Sequence, residues 1–253
     1  MEFYDIDKKQ RQELVVKINK IIFTGILKEK NTAIIKYFSD EDTYIRKTAY
    51  QAIGKIYNEH RDLQHKILNL LEVFLKSKNE KIRQTAINAA GEIGIKEFES
   101  VKHFFSIGLF DEHHSPRNAV IGSIKKMGEK NPKPILKWAK KYLHHPDKEV
   151  RREICHGIEL RGRTHPQDIL PLLKELQFDK TARVKNTLVH VLGQIAYKKD
   201  CLATVVENLK SWDNKELVLE AIEEIIAVHN RYKNFAVLTQ KQAIDYINNH
   251  YKP

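Results

Sequence analysis

Apolar residues recur along this chain at helical rather than alternating spacing, and the same apolar–polar string returns at a fixed interval. The stretch at 44–56 (YIRKTAYQAIGKI) reappears at 81–93 (KIRQTAINAAGEI), then more weakly at 115–127, 149–161, 183–195 and 217–228. Alignment puts Arg46, Arg83, Arg117, Arg151, Lys185 and Val218 in one column, at intervals of 37, 34, 34, 34 and 33 residues. Three residues on stand Ala49, Ala86, Val120, Ile154, Leu188 and Ala221, and seven on stand Ile53, Ala90, Ile124, Ile158, Leu192 and Ile225. Positions i, i+3 and i+7 share one face of an α-helix and fall on both faces of a strand.

A second apolar-periodic segment precedes each of these helices, as at 63–77, 132–143, 166–176 and 201–212, and short polar breaks rich in Asp, Ser, Asn and Thr separate the two. Those residue types cap helix N-termini. Two short antiparallel helices cannot bury both of their apolar faces alone, whereas stacked copies can. The pattern therefore predicts an all-α chain, an α-solenoid of about six helical hairpins near 26–58, 63–95, 98–130, 132–163, 166–198 and 201–230. A leading helix near 5–23 and a closing helix at 239–251 cap the single array, which covers 1–253.

The motif of polar turn, β-branched residue, Arg, Ala and Gly-x-Ile (Ile45–Arg46, Ala49, Gly54–Ile56; Ile82–Arg83, Ala86, Gly91–Ile93) resembles HEAT repeats over roughly residues 26–230. Pro171 looks like the bend in the first helix of such a repeat. The resemblance implies a binding protein that uses the solvated face of its inner helices.

On that face the residues after the Arg column are Lys47, Gln84, Asn118, Arg152 and Asn186, and four further on are Gln51, Asn88, Gly122, His156 and His190. None is a carboxylate, although the chain has 33 Asp and Glu. Such a face tolerates a phosphate backbone, although polar residues also fill any exposed surface. Net charge is +11, and residues 131–210 concentrate it with 16 basic against 9 acidic groups. Six of the eleven arginines lie between Arg117 and Arg183. The Arg column itself reads first as structural: Arg46 follows Asp42, and Arg151 follows Asp147, by four residues, and stacking such residues forms a ladder. Arg152, Arg161 and Arg163 fall outside that column. Arg163 continues the face of Arg152 if the helix extends that far.

Residues 137–196 are also similar to the HEAT-like alkylpurine DNA glycosylases, through Trp138, Arg151–Arg152, Gly157, Arg161, Leu170-Pro171-Leu172-Leu173 and Val184–Lys185. That family wraps alkylated DNA on a concave basic surface. The chain departs from it where one branch has a Glu before the Gly, here His156. Another branch has a Trp-Asp motif in mid-chain, whereas here Trp212–Asp213 comes late and Asp213 reads as an N-cap. The expected function is thus binding of nucleic acid through Lys47, Gln84, Asn118, Arg152, His156, Arg163, Asn186 and His190. A protein-interaction scaffold is the alternative, and an active glycosylase the further one; no catalytic residue is assigned.

Two cysteines, Cys155 and Cys201, form no disulfide framework and no zinc pattern, and no phosphate loop is present. The histidines His113–His114, His144–His145, His156 and His165 read as metal-free, because adjacent pairs chelate poorly and no H-E-x-x-H occurs. No cofactor or metal is expected. A charged N-terminus and no long apolar run predict a cytoplasmic protein without membrane contact.

Overall fold

The computed structural model describes residues 2–251, which are helical with no strand. Two compact units divide the chain, Met1–Met127 and Gly128–Pro253.

The first unit opens with α1 (Lys8–Leu27), whose N-terminus is closed by a capping box between Asp7 and Gln10. Next come α2 (Thr32–Phe38) and α3 (Thr43–Glu59), the first hairpin, in which Asp42 caps α3 by accepting the Tyr44 amide. After a 3-10 turn (Arg61–Leu63) follow α4 (Gln64–Leu75) and α5 (Glu80–Gly108), capped by Asn79. The sequence separates the second helix of repeat two from the first helix of repeat three. In the structure α5 runs through both, marked only by non-helical Glu97 at φ −125°, ψ 61°. No proline opens the third repeat, whereas Pro132 and Pro166 occupy the first turn of the first helices of repeats four and five. α6 (His114–Lys130) completes the third hairpin.

The second unit contains α7 (Pro132–Lys140), α8 (Lys148–Gly157), a short α9 (Glu159–Gly162), α10 (Pro166–Lys174) and α11 (Ala182–Ala196). After these come α12 (Cys201–Lys210), α13 (Lys215–Arg231) and the closing α14 (Gln240–His250). Asp147 caps α8 as expected. α13 is capped by Asn214, not by Asp213, which instead exchanges hydrogen bonds with Gln177. Asn214 is the better placed because its side chain reaches the amide of Leu217.

Within each unit the second helices pack side by side: α3 on α5, α8 on α11, and α11 on α13. The apolar columns supply the core. Ala49, Ile53, Ala86, Ala90, Ile154, Leu188, Leu192, Ala221 and Ile225 are all fully buried. Phe104, Phe105 and Trp212 are likewise fully enclosed, and Trp138 is nearly so. Glycine marks the closest helix approach: a Cβ on Gly91 would stand 2.5 Å from Ser123 Oγ, and one on Gly54 2.3 Å from Glu92 Cβ. No helix among the described residues is long and apolar enough to cross a membrane.

Candidate functional site

The arginine column is a structural ladder, but its rungs are not the ones the sequence suggested. Arg83 sends Nη1 to the carbonyls of Ser77 (2.9 Å) and Lys78 (3.2 Å), six and five residues back. Its Nε and Nη2 grip both oxygens of Asp111, at 2.7 and 2.8 Å, in the turn of the next repeat. Arg151 repeats this with the carbonyls of His145 (2.7 Å) and Pro146 (2.9 Å) and a fork onto Asp179. Arg46 and Arg117 hold the corresponding carbonyls of their own turns. The aspartates one helical turn before, Asp42 and Asp147, are occupied as N-caps. Each guanidinium therefore satisfies carbonyls at a helix start, and those of Arg83 and Arg151 tie it to the next hairpin.

The ladder shifts its titratable groups. Burial pushes the Asp111 carboxyl up, but hydrogen bonds from Arg83 and the His113 amide outweigh it and hold Asp111 below the ordinary carboxylate range. Asp179 is held low in the same way by Arg151 and the Thr181 amide, against its own burial.

On the inner columns, Lys47, Gln51, Asn118, Gly122 and Asn186 are exposed, and Gln84 and Asn88 are half-buried. His156 and His190 are half-buried as well. Arg152 and Arg163 are not solvated point charges. Arg152 Nε donates to Glu149 Oε2 at 2.9 Å and its Nη2 lies 3.5 Å from Glu153 Oε1. The helix carrying Arg152 ends at Gly157, so Arg163 does not continue its face along one helix. It closes α9 instead, where it grips Glu159 and donates to Gln194 Oε1 at 3.0 Å. Arg161 is held by Asp168, with Nε 2.7 Å from Oδ2.

These partners are the residues that sequence reasoning missed. Glu153 and Glu159 are 2% and 1% exposed, among the few charged side chains buried in the chain. Glu159 stands eight residues after Arg151, in the column that holds Gly54, Gly91 and Gly193 in other repeats. That substitution of a carboxylate for glycine was the available signal. His156 Nε2 lies 3.1 Å from Glu159 Oε2. Packing of α8 on α11 brings His190, at the same register one repeat later, beside it, with ring centroids 6.0 Å apart. Glu224, a further 34 residues on, approaches His190 Nδ1 at 4.0 Å and is forked by Arg231 at 3.0 and 3.2 Å. The second unit thus carries a compact patch of imidazole, carboxylate and guanidinium on adjacent helices.

Other candidates resolve into packing. Burial pushes the Cys155 thiol far up, with the Glu159 charge adding to it, so no thiolate nucleophile forms there. His145 caps its turn, its Nδ1 accepting the Asp147 amide at 3.1 Å, and His113 Nδ1 accepts that of Ser115 at 3.2 Å. His144 Nε2 pairs with Glu175 at 2.9 Å. With Trp138 and Trp212 both buried, neither offers a face for a stacked base.

No family model and no curated protein matches this chain. Among solved structures it is similar to the Escherichia coli protein YibA, with 18% identity, 89% of this chain and 77% of that one covered, and a TM-score of 0.47. It is similar to an archaeal HEAT-like repeats protein from Thermococcus onnurineus NA1, with 17% identity, coverage of 87% and 95%, and a TM-score of 0.40. A designed armadillo repeat protein shares 18% identity, with 75% of this chain and 94% of that one covered and a TM-score of 0.32.

Proposed function

We propose that this helical-repeat scaffold, HEAT-like in its motif, is a binding module for a polyanion, nucleic acid first, and that the second-helix surface of the Gly128–Pro253 unit is its docking face. The observation that carries this reading is the cation surplus of that unit, 22 Lys and Arg against 16 Asp and Glu in residues 128–253, exposed where α8 and α11 begin. Lys148, Lys180 and Arg183 are all exposed there, and Arg183 Nη1 reaches Glu149 Oε1 at 3.0 Å, so the two helix starts lie side by side. Helix N-termini add partial positive charge at the same place. Asn186 continues the surface one turn along α11. Arg152 and Arg163, neutralised by carboxylates, hold the surface together rather than supplying its free charge.

The experiment is fluorescence anisotropy with a labelled DNA duplex across a salt series. Binding of micromolar strength at low salt should fall with a log–log slope of about −3 to −6, with little dependence on sequence. Charge reversal at Lys148, Lys180 and Arg183 together should weaken binding at least about tenfold while leaving the melting temperature unchanged, since exposed charges contribute little to folding. Absence of binding at about 50 mM salt overturns the reading. A protein partner is the second reading, favoured by Phe110 and Phe178, which are 51% and 64% exposed immediately before the ladder residues Asp111 and Asp179.

A further inference from the structure

The geometry points to a divalent-cation site in the second unit: we propose that His156, Glu159 and His190 bind a borderline transition metal ion, Zn2+ in the first place. One ligand atom from each of the three lies within 4.8 Å of the other two. Two ligands each about 2.0–2.2 Å from a shared cation stand about 3–3.5 Å apart, and His156 Nε2 and Glu159 Oε2 already hold 3.1 Å. His190, a half-buried ring, closes the remaining gap by a small side-chain adjustment. Two imidazoles and one carboxylate form the donor set that suits Zn2+, and three protein ligands leave a position open to water or an anionic group.

The surroundings fit such a site. Glu159 is almost fully buried at a helix contact where three other repeats carry glycine, a costly placement for a carboxylate that a packing role alone does not require. Its other oxygen is fixed by Arg163, which leaves Oε2 directed at His156. Arg163 also joins Glu159 to Gln194, which is 4% exposed and whose Nε2 has no hydrogen-bond acceptor among the described residues. A metal-bound water or anion is the kind of acceptor that donor lacks. Glu224, beside His190 Nδ1, is placed to orient that ring from outside the ligand set, as carboxylates do for metal-bound histidine. The sequence carries the pattern as His-x-x-Glu at 156–159 plus a histidine one repeat later, a spacing that only the repeat register brings together.

The test uses the full chain, free of any affinity tag and stripped with chelator, titrated with ZnCl2 by calorimetry and with CoCl2 by visible absorption. It needs no nucleic acid, so its outcome is independent of the polyanion reading. One ion per chain is expected, with ligand-field bands of a four- or five-coordinate Co2+ centre and a Zn2+-dependent rise in melting temperature. His156→Ala and His190→Ala should each weaken binding at least about tenfold, and His165→Ala, at the exposed start of α10, should leave it unchanged. Glu159→Gln tests the carboxylate. If that variant fails to fold by circular dichroism, the two histidine variants still decide the matter. No saturable Co2+ spectrum, or equal affinity in the wild type and the His156→Ala/His190→Ala double variant, overturns the proposal.

Discussion

Two, five and eight residues after its ladder arginine, the second hairpin carries Thr85, Asn88 and Gly91, whereas the fourth carries Glu153, His156 and Glu159. Both hairpins keep the same clamp at the helix start. In the second, Thr85 returns its hydroxyl to the carbonyls of Lys81 (2.7 Å) and Phe38 (3.0 Å), and Gly91 lets the neighbouring helix close in. In the fourth, the same positions hold two buried carboxylates and an imidazole, answered by Arg152, Arg163 and Gln194. Burying ions costs several kcal/mol of desolvation, which pairing offsets only in good geometry. The comparison separates arginine–carboxylate pairs that hold the repeat together from pairs that hold charged groups in place at a surface.

The ladder half of that comparison breaks first. Arg83→Ala should cost about 3 kcal/mol in urea unfolding, because it strands Asp111 and two turn carbonyls. Arg46→Ala, whose guanidinium meets carbonyls and Thr43 but no carboxylate of the next turn, should cost only about 1 kcal/mol. Equal losses would show that the fork onto Asp111 adds nothing.

Removal of one charge from the inner cluster should come next. Glu159→Gln leaves Arg163 without its anion and should cost about 2 kcal/mol, while Glu159→Gln with Arg163→Met should recover most of the loss. Additive losses in this double-mutant cycle would count against a coupled pair.

Acid sharpens the contrast more gently. Because Asp111 and Asp179 are held below their unfolded values, their contribution is complete above the unfolded pKa of about 3.9 and fades as pH falls through the folded value. Asp111→Asn should therefore be less stable than wild type at pH 7, and the difference should shrink toward about pH 2. A constant gap across that range would contradict the assignment.

The smallest change is at Gly122, where a Cβ would meet nothing within 4 Å. Gly122→Ala should raise stability by about 0.5–1 kcal/mol through helix propensity, whereas Gly91→Ala should lower it by collision with Ser123. Matching signs in thermal melts would mean the two glycines do not differ in packing.

The hairpins and their apolar columns were legible in the sequence because burial at Ile53, Ala90 and Leu192 follows helical period within each repeat. The existence of an arginine ladder was legible too. Its partner was not, since Asp147 precedes Arg151 by four residues but is spent on the Glu149 amide, and the acid that binds Arg151 lies 28 residues downstream. The inner cluster stayed hidden for a related reason. Reading each column for its exposed residues passed over Glu153 and Glu159, whose burial depends on the neighbouring helix. It also made Arg152 and Arg163 look free when their charges were already met.

The ladder has a kinetic consequence. Arg83 and Asp111 are separated by 28 residues, as are Arg151 and Asp179, and Lys126 and Glu92 by 34. Each such link closes a loop no longer than about one repeat, and closure entropy grows only with the logarithm of loop length. Low contact order of this kind goes with rapid folding in which one hairpin templates the next.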